Sequence, residues 1–260
     1  MQVPGVSLYL ARVSTLERSP EVVLALPQPS LSTWLSRLTP ASREQRWLLS
    51  LTVGLLVALP VFLQAPWVRL HPASATAFTA VLLSAGVLLG WRGQSQWREL
   101  GGVLVGFSGS WLAGCLFWGW FRLHPAWHLP VEAFAVPIAW AGLSTRWRSA
   151  GAFYLASLLG TACTDGAMLL TGVMPLWPQV LQAPAHQAPE LLRQAAALVL
   201  QPLALLEIAA IATGLILLGR RWWLLGTSGQ VAAAALITTL AVDGLFLSAA
   251  LLSPHLSGLI

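Results

Sequence analysis

The sequence predicts an all-α fold: a polytopic transmembrane helix bundle of about seven spans, N-terminus cytoplasmic and C-terminus on the trans side. Three observations lead there. Hydrophobic residues make up 57% of the chain and charged residues 9%, against about 25% charge in a soluble domain, so there is too little polar surface to dissolve it. The apolar residues fall in runs near the roughly 20 residues that a hydrocarbon core about 30 Å thick demands of a helix. Those runs lack period-two alternation, and an open sheet edge cannot sit in lipid.

The elements follow in order. Residues 1–45 are rich in Ser, Pro and Arg and lack the three-part pattern of a signal peptide. They read as a mobile tail, in which "LSTWLSRL" (31–38) places Leu31, Trp34, Leu35 and Leu38 on one face of a short interfacial helix. Residues 46–260 read as one transmembrane domain with spans at 47–64, 75–91, 100–121, 129–145, 150–173, 198–219 and 230–252. The fourth is short and interrupted by Pro137. Between the fifth and sixth, Pro189 followed by Glu190 marks a helix start, predicting a short helix on the trans surface that runs into the sixth span.

Arginine sets the orientation. All 14 basic residues are arginine. The tail carries Arg12, Arg18, Arg37, Arg43 and Arg46, and alternate loops carry Arg92 and Arg98, Arg146 and Arg148, and Arg220 and Arg221. The intervening loops hold Arg69, Arg122 and Arg193, one each. The positive-inside rule therefore puts the tail in the cytoplasm. A pI near 10.6 spread over such loops is orientation, and nucleic acid is not an expected partner. His71, His124, His128, His186 and His255 all fall on the trans side or at its boundary, where a residue that titrates near neutral pH would feel an acidifying compartment.

Four acids lie inside spans: Glu132, Asp165, Glu207 and Asp243. Insertion scales charge about 2.5–3.5 kcal/mol for an aspartate at a span centre. Counted from the trans ends, Glu132 is shallow and the other three lie roughly 12–14 Å deep at 1.5 Å per residue. "TACTDG" (161–166) and "TTLAVDG" (238–244) place Thr161 and Thr239 four residues before their aspartates, on the same helical face. The expectation is a polar pocket of Asp165, Glu207, Asp243, Glu132, Thr161 and Thr239 open to the trans side. The alternative is neutral acids that hydrogen-bond neighbouring helices.

Small residues define packing faces. Gly102, Gly106, Ser110 and Gly114 recur every fourth residue in the third span, and Ala152, Ala156, Gly160 and Thr164 in the fifth, which predicts close helix approach inside one subunit. Cys115 and Cys163 sit in apolar runs and read as small packing residues, with no metal- or haem-ligating spacing.

The densest stretch is "WGWFRLHPAWHLPVEAF" (118–134). Trp118, Trp120 and Trp127 suit an aromatic belt at the interface. Pro125 disfavours helix at His124, so the His124–His128 spacing does not read as a metal pair, and no metal is expected. Glu132 is near enough to pair with Arg122 or His128. The stretch reads as a stiff turn over the acids, with Arg122, His124 and His128 as a candidate trans-side gate.

"LVGFSGSWLAGCLFWGWFRLHPAWHLPVEAFAVPIAW" together with "FYLASLLGTACTDG" resembles a cyanobacterial family of short multi-pass membrane proteins of unknown function, over roughly residues 48–182. The resemblance implies a thylakoid or plasma membrane of a photosynthetic host, and it carries over no catalytic residues. No HExxH, GxSxG or phosphate-loop pattern is present, so a non-enzymatic role is expected. One expectation is a membrane factor that assists assembly of pigment–protein complexes, with membrane lipids and those complexes as partners. The other is a small solute or ion-coupled transporter that uses the carboxylate pocket. No cofactor is indicated by any motif.

Overall fold

The computed structural model describes residues 43–94, 96–184 and 186–252. The proposed interfacial helix at 31–38 and His255 lie outside them. The described residues are helical, with no strand among them.

The chain enters through α1 (Arg43–Leu59), passes a π-helical turn at Pro60–Gln64 and continues as α2 (Ala65–Leu70). Helix α3 (Pro72–Arg92) returns, and α4 (Gln96–Leu116) crosses again and ends in a second π-helical turn, Phe117–Phe121. Short helices α5 (His128–Glu132) and α6 (Val136–Gly142) precede α7 (Arg148–Leu170). Then come α8 (Trp177–Gln182), α9 (Ala188–Val199), α10 (Pro202–Trp223) and α11 (Gly226–Leu252). Six of these passages are long and apolar enough to cross a membrane. The chain is an integral membrane protein, all-helical over its described residues.

The fourth predicted span is broken into α5 and α6. Its contacts run along α7 from Asp165 at His128, through Tyr154 at Glu132 and Ala135, to Gly151 at Ala139. From Gly151 to Asp165, α7 rises about 21 Å at 1.5 Å per residue, which is compatible with a seventh crossing. Pro137 lies in the first turn of α6, where its missing N–H costs nothing.

Glycine decides which helices touch. In α4, 61% of the most apolar window is buried, against 17–28% in the other spans, so α4 is the central helix. A Cβ on Gly101 would strike the Gly90 backbone of α3, and one on Gly106 would strike the Ala150 carbonyl of α7. A Cβ on Gly102 would lie 3.4 Å from Ser149 Cβ. These contacts place the stripe of the third span inside one subunit, as its spacing predicts. The stripe of the fifth span divides: Ala152 and Ala156 join the core, while Gly160 meets Thr239 of α11. Helix α11 is a second hub: a Cβ on Gly54 of α1 would lie 3.1 Å from Thr238, and one on Gly219 of α10 would lie 3.0 Å from Ile237.

The arginine-bearing loops gather at one end. Arg146 Nη2 donates to the Gly90 carbonyl at 2.5 Å, Ser149 donates to Glu99, and Trp47 and Arg220 line one cleft. At the opposite end, Trp111 Nε1 donates to the Ala75 carbonyl at 2.9 Å and Trp177 Nε1 to the Arg122 carbonyl at 2.8 Å. Helix α9 starts where Pro189–Glu190 places it. It does not run into the sixth span: Gln201 is extended (φ −64°, ψ 141°) and Pro202 opens α10 afresh. That shifts the sixth span from 198–219 to 202–223 and leaves Glu207 five residues inside it.

Candidate functional site

The site is built by the turn at the end opposite the arginines. The residue before a proline is disfavoured in helical geometry, and His124 accordingly sits at φ −120°, ψ 78° before a single 3-10 turn, Pro125–Trp127. That turn re-aims the chain, so α5 begins at His128 with its ring directed inward while His124 stays exposed. Residues four apart share a helix face, and His128 Nε2 lies 3.2 Å from Glu132 Oε1. Across the gap, Asp165 of α7 places Oδ1 and Oδ2 at 3.0 and 2.9 Å from His128 Nδ1.

The cluster is nearly closed to its surroundings. Side-chain exposure is 12% for His128, 19% for Glu132 and 8% for Asp165, so Glu132 is the member nearest the outside. The imidazole lies against Phe117, with ring centroids 4.2 Å apart and planes at 31°. Trp177 covers it at 6.0 Å and itself stacks on Trp118 at 5.4 Å. Phe117 opens the π-helical turn that ends α4, a distortion that recurs at functional sites. Tyr154 joins the two halves of the broken span: its hydroxyl donates to the Glu132 carbonyl and accepts the Ala135 N–H at 3.1 Å.

This geometry constrains protons. A neutral imidazole has one N–H, whereas an imidazolium donates from both nitrogens. Each ring nitrogen here faces a carboxylate oxygen. Satisfying both contacts requires one proton beyond the neutral ring's own, held on the imidazole or on one acid, and leaves the cluster with a net charge of −1. Taking a proton from this set therefore leaves one of the two contacts without a hydrogen and brings the charge to −2, whereas adding one brings it to zero.

Asp243 adjoins the cluster through the neighbouring residue on α7. Thr164 Oγ1 lies 2.5 Å from Asp243 Oδ2 and 3.2 Å from the Gly160 carbonyl. Its single hydroxyl hydrogen serves one of them at a time unless the carboxyl brings its own proton. Thus α7 presents consecutive residues, Thr164 to one acid and Asp165 to the histidine.

The predicted set is only partly assembled. The structure brings together Asp165, Glu132 and His128, with Asp243 alongside. Glu207 stands apart on α10, half-buried and without a hydrogen bond or ion pair among the described residues. Thr161 and Thr239 do not reach their aspartates. Their hydroxyls bond back to the Ser157 and Ala235 carbonyls of their own helices at 3.4 and 3.1 Å, the usual refuge of a threonine inside a helix. Arg122 contributes its carbonyl to Trp177, and its guanidinium makes no ion pair among the described residues. Sequence reasoning treated Thr164 as packing alone and missed Tyr154, Phe117 and Trp177 as site residues. Tyr154 carried a signal, since a tyrosine inside an apolar span needs a partner for its hydroxyl.

A second polar junction lies near the core of α4. Buried Gln64, in the first π-helical turn, donates Nε2 to the Trp111 carbonyl at 2.5 Å and approaches Cys115 Sγ at 3.0 Å. Among the described residues no group of three or more His, Cys, Asp or Glu side chains is arranged to hold a metal ion.

No curated protein and no solved structure matches the chain. A family model described as a protein of unknown function, DUF3120, matches residues 53–251 and so takes in the last two spans, beyond the stretch that carries the sequence resemblance.

Proposed function

The chain belongs to the DUF3120 family of proteins of unknown function, and from the site geometry we propose that it is a proton-handling membrane protein, a small ion-coupled carrier. Its proton site is the His128–Asp165–Glu132 cluster at the trans mouth. The single observation that carries this reading is the buried imidazole with a carboxylate on each ring nitrogen. Ionisable residues inside a membrane are costly, and chains of Asp, Glu and His serve as proton relays in pumps and transporters. Glu132 is the entry, His128 and Asp165 hold the proton, and Asp243, which Thr164 anchors from the position next to Asp165 on α7, is the next acceptor.

The test is a pH step applied to the purified protein in a supported membrane, read as a transient charge displacement. Wild type is expected to give a displacement that His128→Gln abolishes while the variant keeps its unfolding midpoint. Equal displacement in both would overturn the assignment.

A second reading is a non-enzymatic factor that assists assembly of pigment–protein complexes in a thylakoid or plasma membrane of a cyanobacterium. The exposed tryptophans support it, since Trp91, Trp97 and Trp140 are each at least 60% exposed and could lie against a partner as well as against lipid. Native purification separates the two readings: co-purified pigment proteins favour assembly, and a pigment-free protein with the charge displacement favours the carrier.

A further inference from the structure

At the opposite, arginine-bearing end, the structure holds a site the carrier reading does not use. A cleft of about 420 Å³ opens between α1, α10 and α11. Its walls are apolar, with Leu51 on one side and Ala233, Ala234 and Ile237 on the other. The α11 wall carries short side chains, Ala233 and Ala234, beside the point where Gly219 of α10 packs against Ile237. Arg220 and Trp223 line this cleft, and both also line an adjoining recess with Arg221 and Leu224. Trp47 and Trp223 line the cleft as well, and indoles are enriched at membrane interfaces.

We propose that this cleft binds one anionic phospholipid, with its phosphate at Arg220 and Arg221 and an acyl chain along Leu51 and Ile237. Charge complementarity selects the occupant. Both guanidinium groups are exposed, and neither makes an ion pair among the described residues. A free phosphate would satisfy the arginines and leave the apolar cleft empty. A zwitterionic lipid would fill the cleft without neutralising them. An amphiphile with a net negative head answers both, and basic pockets between helices on the cytoplasmic side are established headgroup sites. Arginine suits the role through its planar, bidentate fork for phosphate oxygens.

The experiment uses the full chain in phosphatidylcholine nanodiscs doped with phosphatidylglycerol, with bound lipid counted by native mass spectrometry. Phosphatidylglycerol is expected to be retained in preference to phosphatidylcholine at one per chain. An attraction of about 1 kcal/mol per arginine near a membrane surface is about five-fold in affinity, so Arg220→Gln with Arg221→Gln should weaken retention about 25-fold. Arg220→Lys with Arg221→Lys should keep much of it, and Leu51→Trp, which fills the cleft from its exposed side, should weaken retention with both arginines intact. Equal retention of the two lipids would overturn the proposal. So would a double glutamine variant that binds like wild type, or displacement by millimolar inorganic phosphate, which would mark an anion site without an acyl component.

Discussion

Asp165→Leu removes both acceptors from His128 Nδ1 and leaves a ring nitrogen facing a methyl group in a site only 6% exposed at the aspartate. Breaking a buried ion pair by deleting one partner costs roughly 3–5 kcal/mol in soluble proteins. Within a membrane the unfolded reference also finds partners, and measured couplings average about 0.6 and reach about 1.7 kcal/mol. An unsatisfied buried polar group adds about 1–3 kcal/mol. The expected loss for leucine is therefore about 2–3 kcal/mol, between these limits. Asparagine keeps an acceptor and loses the charge, and charge-assisted bonds are about twice as strong as neutral ones, so Asp165→Asn should cost about 1 kcal/mol. Reversible unfolding in bicelles measures both, and a double-mutant cycle with His128→Leu should return a coupling of about 1–2 kcal/mol. If the carrier reading holds, asparagine also removes the charge displacement while sparing the fold. Single effects that add to within about 0.5 kcal/mol would show that the two side chains do not interact. Asparagine as damaging as leucine would show that the carboxylate's charge, not hydrogen bonding, holds α7 to α5.

Other expectations rest on separate parts of the structure. Gly106→Ala should destabilise by about 1–3 kcal/mol, the usual cost of overpacking, because its Cβ would meet the Ala150 carbonyl. Gly166→Ala, with nothing within 4 Å of the new carbon, should be neutral or stabilise by up to about 1 kcal/mol as a helix-interior replacement; equal effects in unfolding assays would refute this account of the glycines. Thr164→Val should cost about 1 kcal/mol by unpairing Asp243, and Thr164→Ser should restore most of that; valine as stable as wild type would contradict the link between α7 and α11. A reporter active only outside the cytoplasm should work when fused after Ile260, whereas activity of a cytoplasmic reporter there would reverse the orientation read from arginine.

Local properties account for what the sequence by itself determined. Hydropathy and span length decide whether a segment prefers lipid, so the helical membrane class could be read from the chain, and most span limits to within four residues, as with 75–91 against Pro72–Arg92 and 230–252 against Gly226–Leu251. Four-residue spacing of glycine likewise announced the close faces of α4, because helix geometry alone brings such residues into line. The acids were visible as costly, but not their partners. Helical depth placed Asp165, Glu207 and Asp243 at one level, and depth carries no information about which way around its axis each helix faces. Tertiary packing decided that: the Gly160–Thr239 contact rotates α7 and α11 so that Thr164 meets Asp243, and Asp165 on the next position turns to His128. Glu207, on a helix whose start moved to Pro202, is left out. The ring of His128 enters the site because a proline-made turn and a broken span, spliced by Tyr154 from 22 residues away in sequence, carry it beneath Phe117 and Trp177. Pairings across such separations are settled by which surfaces can close on one another, and no local pattern in the chain records them.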